Sequence, residues 1–202
     1  MKLHSLLAGV PLMGEPSNPE MEITSISYDT RTLRPGALFI ALPGAKTDGH
    51  KHIPEALERG AAAVLCRQAP PEPGPWLLTD NPRRALALAS ANWFRHPGRE
   101  MVLIGVTGTN GKTTTTCLIK SMLEQAAGAK VGLIGTIQNM IGDQVLPAQR
   151  TTPESYELQK LLRSMADAGC THVVMEASSH ALVQHRTAGL EFDAGVFTNL
   201  TQ

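Results

Sequence analysis

Cysteine is scarce in this chain: the three present, Cys66, Cys117 and Cys170, are far apart and odd in number. That spacing fits neither a disulfide framework nor a paired-cysteine metal site, so we expect unpaired thiols in a reducing cytoplasm. Net charge is absent too, since 18 basic residues balance 18 acidic ones, and a surface for nucleic acid or anionic membrane is not expected. No apolar run is long enough to cross a bilayer, and no secretory signal marks the N-terminus. We therefore expect a cytoplasmic protein, with a monomer favoured.

A glycine-rich segment, Gly108 to Gly111, lies between an apolar β-branched run that begins at Val102 and a helical pattern that begins at Lys112. Glycines let backbone N–H groups close on phosphate oxygens, the helix N-terminus adds a partial positive charge, and Lys112 adds a full one. A hydroxyl at Thr113 would bind Mg²⁺ beside them. The longer phosphate-loop pattern expects glycine where Val106 stands, but the G-x-x-G-K-T core is intact. The segment predicts a strand, a nucleotide phosphate loop and a helix.

Residues 1–97 predict a small α/β domain, because short apolar runs alternate with helical patterns and turn residues. The loop 43–50 is polar and bounded by glycine, so its backbone can approach a ligand closely. The strands are expected at 23–28, 37–42, 62–66 and 76–79, and the helices at 53–59 and 82–94. With 42% apolar residues, the chain has enough material for ordinary cores.

Residues 98–202 predict a second domain with a mainly parallel sheet covered on both faces, because strand and helix alternate. The helix after the phosphate loop is expected to bury one face, and residues 139–148 to form a hairpin or a loop. That face comprises Leu118, Ile119, Met122, Leu123 and Ala126. A later helix is expected to begin at Pro153, bury Leu158, Leu161, Leu162 and Met165, and end at Gly169. The last strand, 195–198, is followed by only four residues, and we expect the sequence to be cut within this domain.

Glu176 follows an apolar strand pattern at 172–175. Ligands of a parallel sheet bind at the carboxyl ends of its strands, so this carboxylate is expected beside the phosphate loop, where it can bind Mg²⁺. A solvated or helix-capping acid is the alternative. Ser178 and His180 lack a G-x-S-x-G elbow, which argues against a hydrolase. Arg186 can grip a carboxylate or phosphate in a fork, although an ordinary polar helix face is equally compatible with it.

Four segments of the chain resemble the Mur ligases, ATP-dependent enzymes that build the peptidoglycan stem peptide. They are 28–31 with 34–41, the TGTNGKTTT run at 107–115, Thr151-Thr152-Pro153, and 175–186. Their combination is most similar to the ligases that add the third residue of the stem peptide. The resemblance covers nearly the whole chain.

The resemblance implies UDP binding by residues 1–97 and ATP binding by residues 98–202. It implies that a diamino acid, meso-diaminopimelate or L-lysine, is joined to UDP-MurNAc-L-Ala-D-Glu through an acyl phosphate, with ATP and Mg²⁺. Catalytic roles are implied for Lys112 and Glu176, and metal binding for Thr113 and Glu176. The implied ATP contacts are Gly108, Thr109, Asn110, Gly111, Lys112, Thr113 and Thr114. The implied substrate contacts are Tyr28, Thr30, Ala45, Lys46, Thr47, Thr151, Thr152, Ser178, Gln184 and Arg186.

Two alternatives stay open: another Mur-type ligase, such as the one that adds D-alanyl-D-alanine, and a non-catalytic nucleotide-binding module. The family's third domain and its carbamylated lysine have no counterpart in these 202 residues, so we expect binding without ligation. Arg150 departs from the family pattern, in which asparagine often precedes the paired threonines. Residues 80–83 spell a family motif for diaminopimelate selectivity, but that motif belongs to the C-terminal domain. Here it predicts a helix cap.

Overall fold

The computed structural model describes residues 1–44 and 48–201. The chain forms two compact units, Met1–Trp93 and Phe94–Gln202, which divide close to the boundary predicted between residues 97 and 98. Each unit has its own sheet and its own apolar core. The predicted α/β class is confirmed.

The first unit is built on a four-stranded parallel sheet whose strands lie side by side in chain order. The strands are β1 (Ser25–Ser27), β2 (Ala37–Ile40), β3 (Ala63–Cys66) and β4 (Trp76–Leu78). The helices are α1 (Leu3–Leu6), α2 (Ile53–Glu58) and α3 (Pro82–Trp93). Every residue of β2 and β3 is buried, which explains why both strands are apolar without alternation.

Local sequence signals set the ends of these helices. The Asn81 side-chain oxygen accepts a hydrogen bond from the Arg84 N–H at 3.0 Å, so the helix cap predicted at residues 80–83 is confirmed. Pro82 stands at the first position of α3, where a helix needs no N–H donor. Gly60, just beyond α2, has φ +86°, a left-handed conformation that ends helices and favours glycine.

The second unit is built on a six-stranded sheet. Its strands are β5 (Val102–Thr107), β6 (Val131–Ile134), β7 (Gln138–Ile141), β8 (Gln144–Pro147), β9 (His172–Glu176) and β10 (Ala194–Phe197). They lie in the order β10-β5-β9-β6-β7-β8. The first four are parallel, and the hairpin β7–β8 continues the sheet in antiparallel fashion. The mainly parallel sheet is confirmed, and residues 139–148 form a hairpin.

Helices cover both faces of this second sheet. They are α4 (Lys112–Ala127), α5 (Ser155–Asp167) and the short α6 (Ser179–Val183). One apolar cluster joins α5 to Val173 of β9, and a second joins α4 to Val174 of the same strand. Because successive strand residues point to opposite faces, the two clusters lie on opposite sides of the sheet.

The predicted apolar face of α4 is wrong in three of its five residues. Leu118 and Met122 are 59% and 66% exposed, and Ala126 is exposed as well. The stripe that faces the sheet comprises Thr116, Ile119, Lys120 and Leu123. This stripe has regular helical spacing, but it contains a hydroxyl and an ammonium group. The apolar residues beside this stripe therefore led to a wrong prediction of which face of α4 is buried.

The helix α5 begins at Ser155, two residues later than predicted. Thr152 is drawn away from the helix, because its hydroxyl donates to the Glu176 carbonyl at 2.7 Å. The backbone of Glu154 is still extended, with ψ 156°. The residues that look like a helix start thus form a connection to the end of β9.

Candidate functional site

The loop from β5 to α4 requires glycine at its first turn. Gly108 has φ +132°, and a Cβ atom there would lie 2.2 Å from the Thr198 hydroxyl oxygen. Gly111 has φ +83° and stands immediately before α4. Both positions favour a residue without a side chain, so the backbone of the loop is open to close approach by a ligand.

Lys112 is the first residue of α4, a helix of 16 residues. Its ammonium group donates to the carbonyl oxygens of Gly108 at 2.7 Å and Thr109 at 3.0 Å, and so lies over the loop. The first helical hydrogen bond runs from the Thr115 N–H to the Gly111 carbonyl. The N–H groups of the preceding helical residues have no acceptor within the helix, as at any helix start. A full positive charge and several outward N–H groups therefore converge on one point, which suits a phosphate.

Residues that follow β10 hold the loop in this shape. The Thr109 N–H donates to the Asn199 carbonyl at 2.9 Å, and the Asn110 N–H donates to the Asn199 side-chain oxygen at 3.1 Å. The Thr198 hydroxyl donates to the Asn110 carbonyl at 2.7 Å. The strand pairing of β10 with β5 brings these residues beside the loop. Sequence reasoning gave them no role, because the two segments are about ninety positions apart.

Glu176 ends β9, next to β5, and only 1% of it is exposed. Its carboxylate accepts hydrogen bonds from the Thr113 hydroxyl at 2.9 Å, the Thr136 N–H at 2.9 Å and the Thr136 hydroxyl at 3.0 Å. The carboxylate therefore lies beside the phosphate loop, at the edge where parallel strands end. This burial does not suit the alternative of a solvated acid.

The oxygens of Thr113 and Glu176 suit a hard cation. They lie 2.9 Å apart at the start of α4, and Mg²⁺ prefers oxygen ligands. No group of three or more His, Cys, Asp and Glu side chains that could by itself hold a metal ion occurs in residues 1–44 and 48–201. A Mg²⁺ ion here would therefore take its remaining ligands from phosphate oxygens and water, as Mg²⁺ commonly does with nucleotides. The donor set fits the ion.

A second cluster centres on the buried guanidinium of Arg186. It donates to the Thr152 carbonyl at 2.9 Å and the Gln184 side-chain oxygen at 2.7 Å, and pairs with the Glu154 carboxylate. Only 6% of the Arg186 side chain and 11% of the Glu154 side chain are exposed. The predicted contact of Arg186 with a carboxylate is present, but this carboxylate is the Glu154 side chain of the same protein and not a ligand. Arg150, the departure from the family pattern, lies 3.7 Å from the same carboxylate.

Thr152 joins this cluster to the end of β9. Its hydroxyl donates to the Glu176 carbonyl at 2.7 Å and accepts from the Ser178 N–H at 3.2 Å. The Ser178 hydroxyl in turn accepts from the Ala181 N–H at 3.2 Å and so caps α6. Thr151, Thr152, Ser178, Gln184 and Arg186, the predicted substrate contacts of this unit, thus lie around the end of one strand.

Besides Thr198 and Asn199, two further polar residues of this site were missed by sequence reasoning. Thr136 binds the Glu176 carboxylate, and Glu154 pairs with Arg186. Thr136 carries one usable signal, since it lies two residues after the last residue of β6 and so belongs to the same sheet edge. Glu154 was given no role in the site, because its contact with Arg186 spans thirty-two positions.

The first unit contains a cleft of about 560 Å³. Tyr28, Thr30, Phe39, His52 and Arg83 are among the residues that line it. The Thr30 hydroxyl donates to the Glu55 carboxylate at 2.9 Å, and this bond holds the pKa of Glu55 below its ordinary value. The Arg31 guanidinium similarly holds the pKa of Asp29 below its usual range. Ala45, Lys46 and Thr47, the other predicted UDP contacts, lie outside the described residues.

The three cysteines, predicted to be unpaired, differ in their exposure to solvent. Cys66 and Cys170 are buried, which raises the pKa of each thiol, and Cys117 is exposed on α4. All three are free. Among the described residues, no helix combines the length and the apolar character needed to cross a membrane.

Two family models match the chain. The model described as "Mur ligase family, catalytic domain" matches residues 22–91, and "Mur ligase middle domain" matches residues 106–202. The two matches together cover most of the chain and fall in the two different units.

Curated relatives align over the full length of the chain. A UDP-N-acetylmuramoyl-L-alanyl-D-glutamate--2,6-diaminopimelate ligase of Clostridium tetani is 46% identical over 100% of this chain and 42% of its own length. A UDP-N-acetylmuramyl-tripeptide synthetase of Roseiflexus sp. is 49% identical over 100% of this chain and 41% of its own length. The chain therefore spans less than half the length of these relatives.

Solved structures share the fold. A UDP-N-acetylmuramoyl-L-alanyl-D-glutamate--2,6-diaminopimelate ligase matches with a TM-score of 0.80 and 26% identity, over 100% of this chain and 41% of that one. The MurF ligase of Thermotoga maritima, solved in complex with ADP, matches with a TM-score of 0.58 and 21% identity, over 87% of this chain and 37% of its own. The two domain models, the full-length alignments and the shared fold agree, and this chain belongs to the Mur ligase family.

Proposed function

We propose that the second unit binds the phosphates of ATP together with Mg²⁺. The observation that carries this proposal is the 2.9 Å contact between the Thr113 hydroxyl and the Glu176 carboxylate, directly beside the glycine loop. Gly108 to Thr114 would hold the nucleotide, and Thr113 and Glu176 would hold the metal. Thr113 belongs to the first turn of α4, and Glu176 is the last residue of β9. The contact between them therefore depends on how the sheet places two separate elements, and not on the conformation of one loop.

In this proposal the N–H groups at the helix start, Lys112 and Glu176 have different roles. The N–H groups at the start of α4 bind phosphate oxygens, and Lys112 neutralises charge on the outer phosphates. When bound, Mg²⁺ draws negative charge away from the phosphoryl group that is transferred. The burial of Glu176 keeps water from competing with the cation for its carboxylate.

We further propose that the chain contributes the UDP-muramoyl-peptide sites of a ligase. The first-unit cleft with Tyr28 and Thr30 would bind the uridine diphosphate, and Ala45, Lys46 and Thr47 are proposed to complete it. The residues around the end of β9 would bind the peptide end of the substrate. They are Thr151, Thr152, Ser178, Gln184 and Arg186. The internal contacts of Arg186 suggest that it also orders Thr152 and Gln184 for this task.

The reaction proposed for the whole protein is ATP-dependent addition of a diamino acid, meso-diaminopimelate or L-lysine, to UDP-MurNAc-L-Ala-D-Glu. A substrate carboxylate would attack the γ-phosphate of ATP to form an acyl phosphate and release ADP. The incoming amine would then attack the acyl carbon, so that an amide forms and inorganic phosphate and a proton leave. The names of relatives 46% and 49% identical to this chain support the third-residue ligase. The MurF matches, at 20–21% identity, show the fold alone and do not favour addition of D-alanyl-D-alanine.

The test is isothermal titration of the chain with ADP and Mg²⁺, using Lys112→Ala and, as a matched control, the exposed lysine variant Lys160→Ala. Loss of charge-assisted hydrogen bonds worth about 1.5–3 kcal/mol should weaken ADP binding about tenfold or more in Lys112→Ala. Lys160→Ala should bind as the wild type does. Equal affinities for all three proteins would contradict the proposed loop function.

Substrate class is tested in a separate titration with UDP-MurNAc-L-Ala-D-Glu, UDP-MurNAc-L-Ala and the tripeptide form. Preference for the form that ends in D-Glu supports the third-residue ligase. Preference for the tripeptide form would instead indicate the ligase that adds D-alanyl-D-alanine.

A further inference from the structure

Thr136 contacts the Glu176 carboxylate twice. Its N–H donates to one carboxylate oxygen at 2.9 Å, and its hydroxyl lies 3.0 Å from the other. The Thr113 hydroxyl adds a third contact, at 2.9 Å. A carboxylate has about four acceptor positions, so these donors can hold it while it still binds a cation.

The hydroxyl of Thr136 also lies 3.0 Å from the hydroxyl of Thr151. A carboxylate can only accept hydrogen bonds, and a hydroxyl has a single proton. Thr136 therefore donates its proton to Glu176 while its hydroxyl stays within hydrogen-bond distance of the Thr151 hydroxyl. This short chain links a residue proposed to bind the substrate peptide with the residue proposed to bind the metal.

The residue before Thr136 is shaped around the same carboxylate. A Cβ atom on Gly135 would lie 2.6 Å from the Glu176 Oε1 atom, which is closer than a carbon and an oxygen can approach. Glycine at this position therefore allows the carboxylate to reach the Thr136 N–H. Gly135 and Thr136 together form a seat for Glu176 at the end of β6.

We propose that Thr136 is a positioning residue that fixes the Glu176 carboxylate for a nucleotide-bound Mg²⁺ and connects it with Thr151. The inference rests on the proposed function of the phosphate loop and adds a residue to it. Mg²⁺ requires nearly ideal octahedral geometry, whereas a free Glu side chain samples several rotamers. Residues that orient metal ligands commonly change metal affinity 10- to 100-fold when they are replaced.

The test compares Thr136→Val with Thr136→Ser by titration of ADP, once with Mg²⁺ and once with EDTA. Valine keeps the shape but removes the hydroxyl, so ADP affinity with Mg²⁺ should fall about tenfold or more, while affinity in EDTA should not change. Serine restores the hydroxyl and should rescue the affinity. Thr136 is exposed, so both variants should fold, and thermal unfolding of each checks this.

Gly135→Ala is an independent second variant, because it displaces the carboxylate without removing any donor. It should also lose Mg²⁺-dependent ADP affinity while keeping affinity in EDTA. Thr171→Val is the matched control: Thr171 is likewise exposed, but it lies at the opposite end of β9 and should have no effect.

Glu176→Gln separates failure of this inference from failure of the proposed function. If the wild type gains ADP affinity from Mg²⁺, Glu176→Gln loses the gain, and Thr136→Val keeps it, the positioning role alone is overturned. If Mg²⁺ does not change ADP affinity in the wild type, both the metal site and the role of Thr136 are overturned.

Discussion

At the scale of single residues, the phosphate loop depends on two positions that have no side chain, Gly108 and Gly111. Gly108 lies so close to Thr198 and the Asn199 backbone that a methyl group has no room. Gly111 differs, because a Cβ atom there would lie 4.0 Å from its nearest neighbour, and only the φ of +83° disfavours a side chain. The two glycines of one motif therefore serve different physical needs.

We predict that Gly108→Ala is more damaging than Gly111→Ala. A left-handed backbone alone costs about 1–2 kcal/mol for a residue with a Cβ atom, and this should be the loss of unfolding free energy in Gly111→Ala. Gly108→Ala adds a clash with backbone and should lose more, together with ADP binding. Urea unfolding and ADP titration measure the two effects. Equal destabilisation by the two substitutions would show that loop packing around Gly108 is looser than described.

The single-residue roles differed in how far the sequence could predict them. The positions of Lys112 and Thr113 follow from a contiguous motif, since a helix start fixes both. The burial of Glu176 among hydroxyls depends on Thr136, which is forty positions away. The pairing of Arg186 with Glu154 likewise depends on how two separate turns pack. Such contacts have no periodic or local signature.

At the scale of elements, patterns with strong periodicity were reliable. The strand β9 was predicted from its apolar run, and the buried face of α5 from apolar residues at helical spacing. The buried face of α4 was predicted wrongly, because Thr116 and Lys120 face the sheet while Leu118 and Met122 are exposed. A phosphate-loop helix begins with residues chosen for its ligand, and here threonines occupy positions that would otherwise be apolar.

One ion pair fastens α5 to the turn before β5. The Arg163 guanidinium donates to both oxygens of Glu100, at 2.6 and 2.9 Å, and holds the pKa of Glu100 below its ordinary value. A carboxylate with a lowered pKa stabilises the fold above its unfolded pKa, and this contribution is lost as pH falls through the folded pKa. Half of the Glu100 side chain is exposed, so the effect should be modest.

We predict that Arg163→Met is less stable than the wild type near neutral pH and that the difference shrinks below about pH 4, under the ordinary Glu pKa. Arg99→Met is the matched control, because Arg99 contacts Glu191 once, with both side chains mostly exposed. It should therefore change the urea midpoint less than Arg163→Met does near neutral pH. Urea midpoints across the acid range measure both. A pH-independent difference for Arg163→Met would contradict the ion-pair account.

At the scale of the whole molecule, two units with separate sheets and cores carry two separate sets of candidate ligand contacts. The cleft of the first unit is lined by Tyr28 and Thr30, and the phosphate loop belongs to the second. The family models also divide between the units. Uridine diphosphate and ATP should therefore each protect a different segment of the chain from hydrogen exchange.

Hydrogen exchange measured by mass spectrometry tests that expectation. ADP with Mg²⁺ should slow exchange at residues 108–116, and the uridine diphosphate end of UDP-MurNAc-L-Ala-D-Glu should slow exchange at residues 28–33 and 48–55. The buried strand β3 provides an internal control, since none of its residues lines the cleft and the glycine loop belongs to the other unit, so its exchange should not change. Protection of 108–116 by the UDP compound, with none at 28–33, would reassign the uridine site.

The hydrogen bonds from the loop to Thr198 and Asn199 also bear on how the protein is made. A ribosome adds residues from the N-terminus onward, so the glycine loop leaves the exit tunnel long before the residues that brace it. Until β10 joins the edge of the sheet, the Thr109 and Asn110 N–H groups lack the acceptors that orient them. Competence for nucleotide should consequently arise only after residues 198 and 199 have left the tunnel, well after the motif itself has been translated.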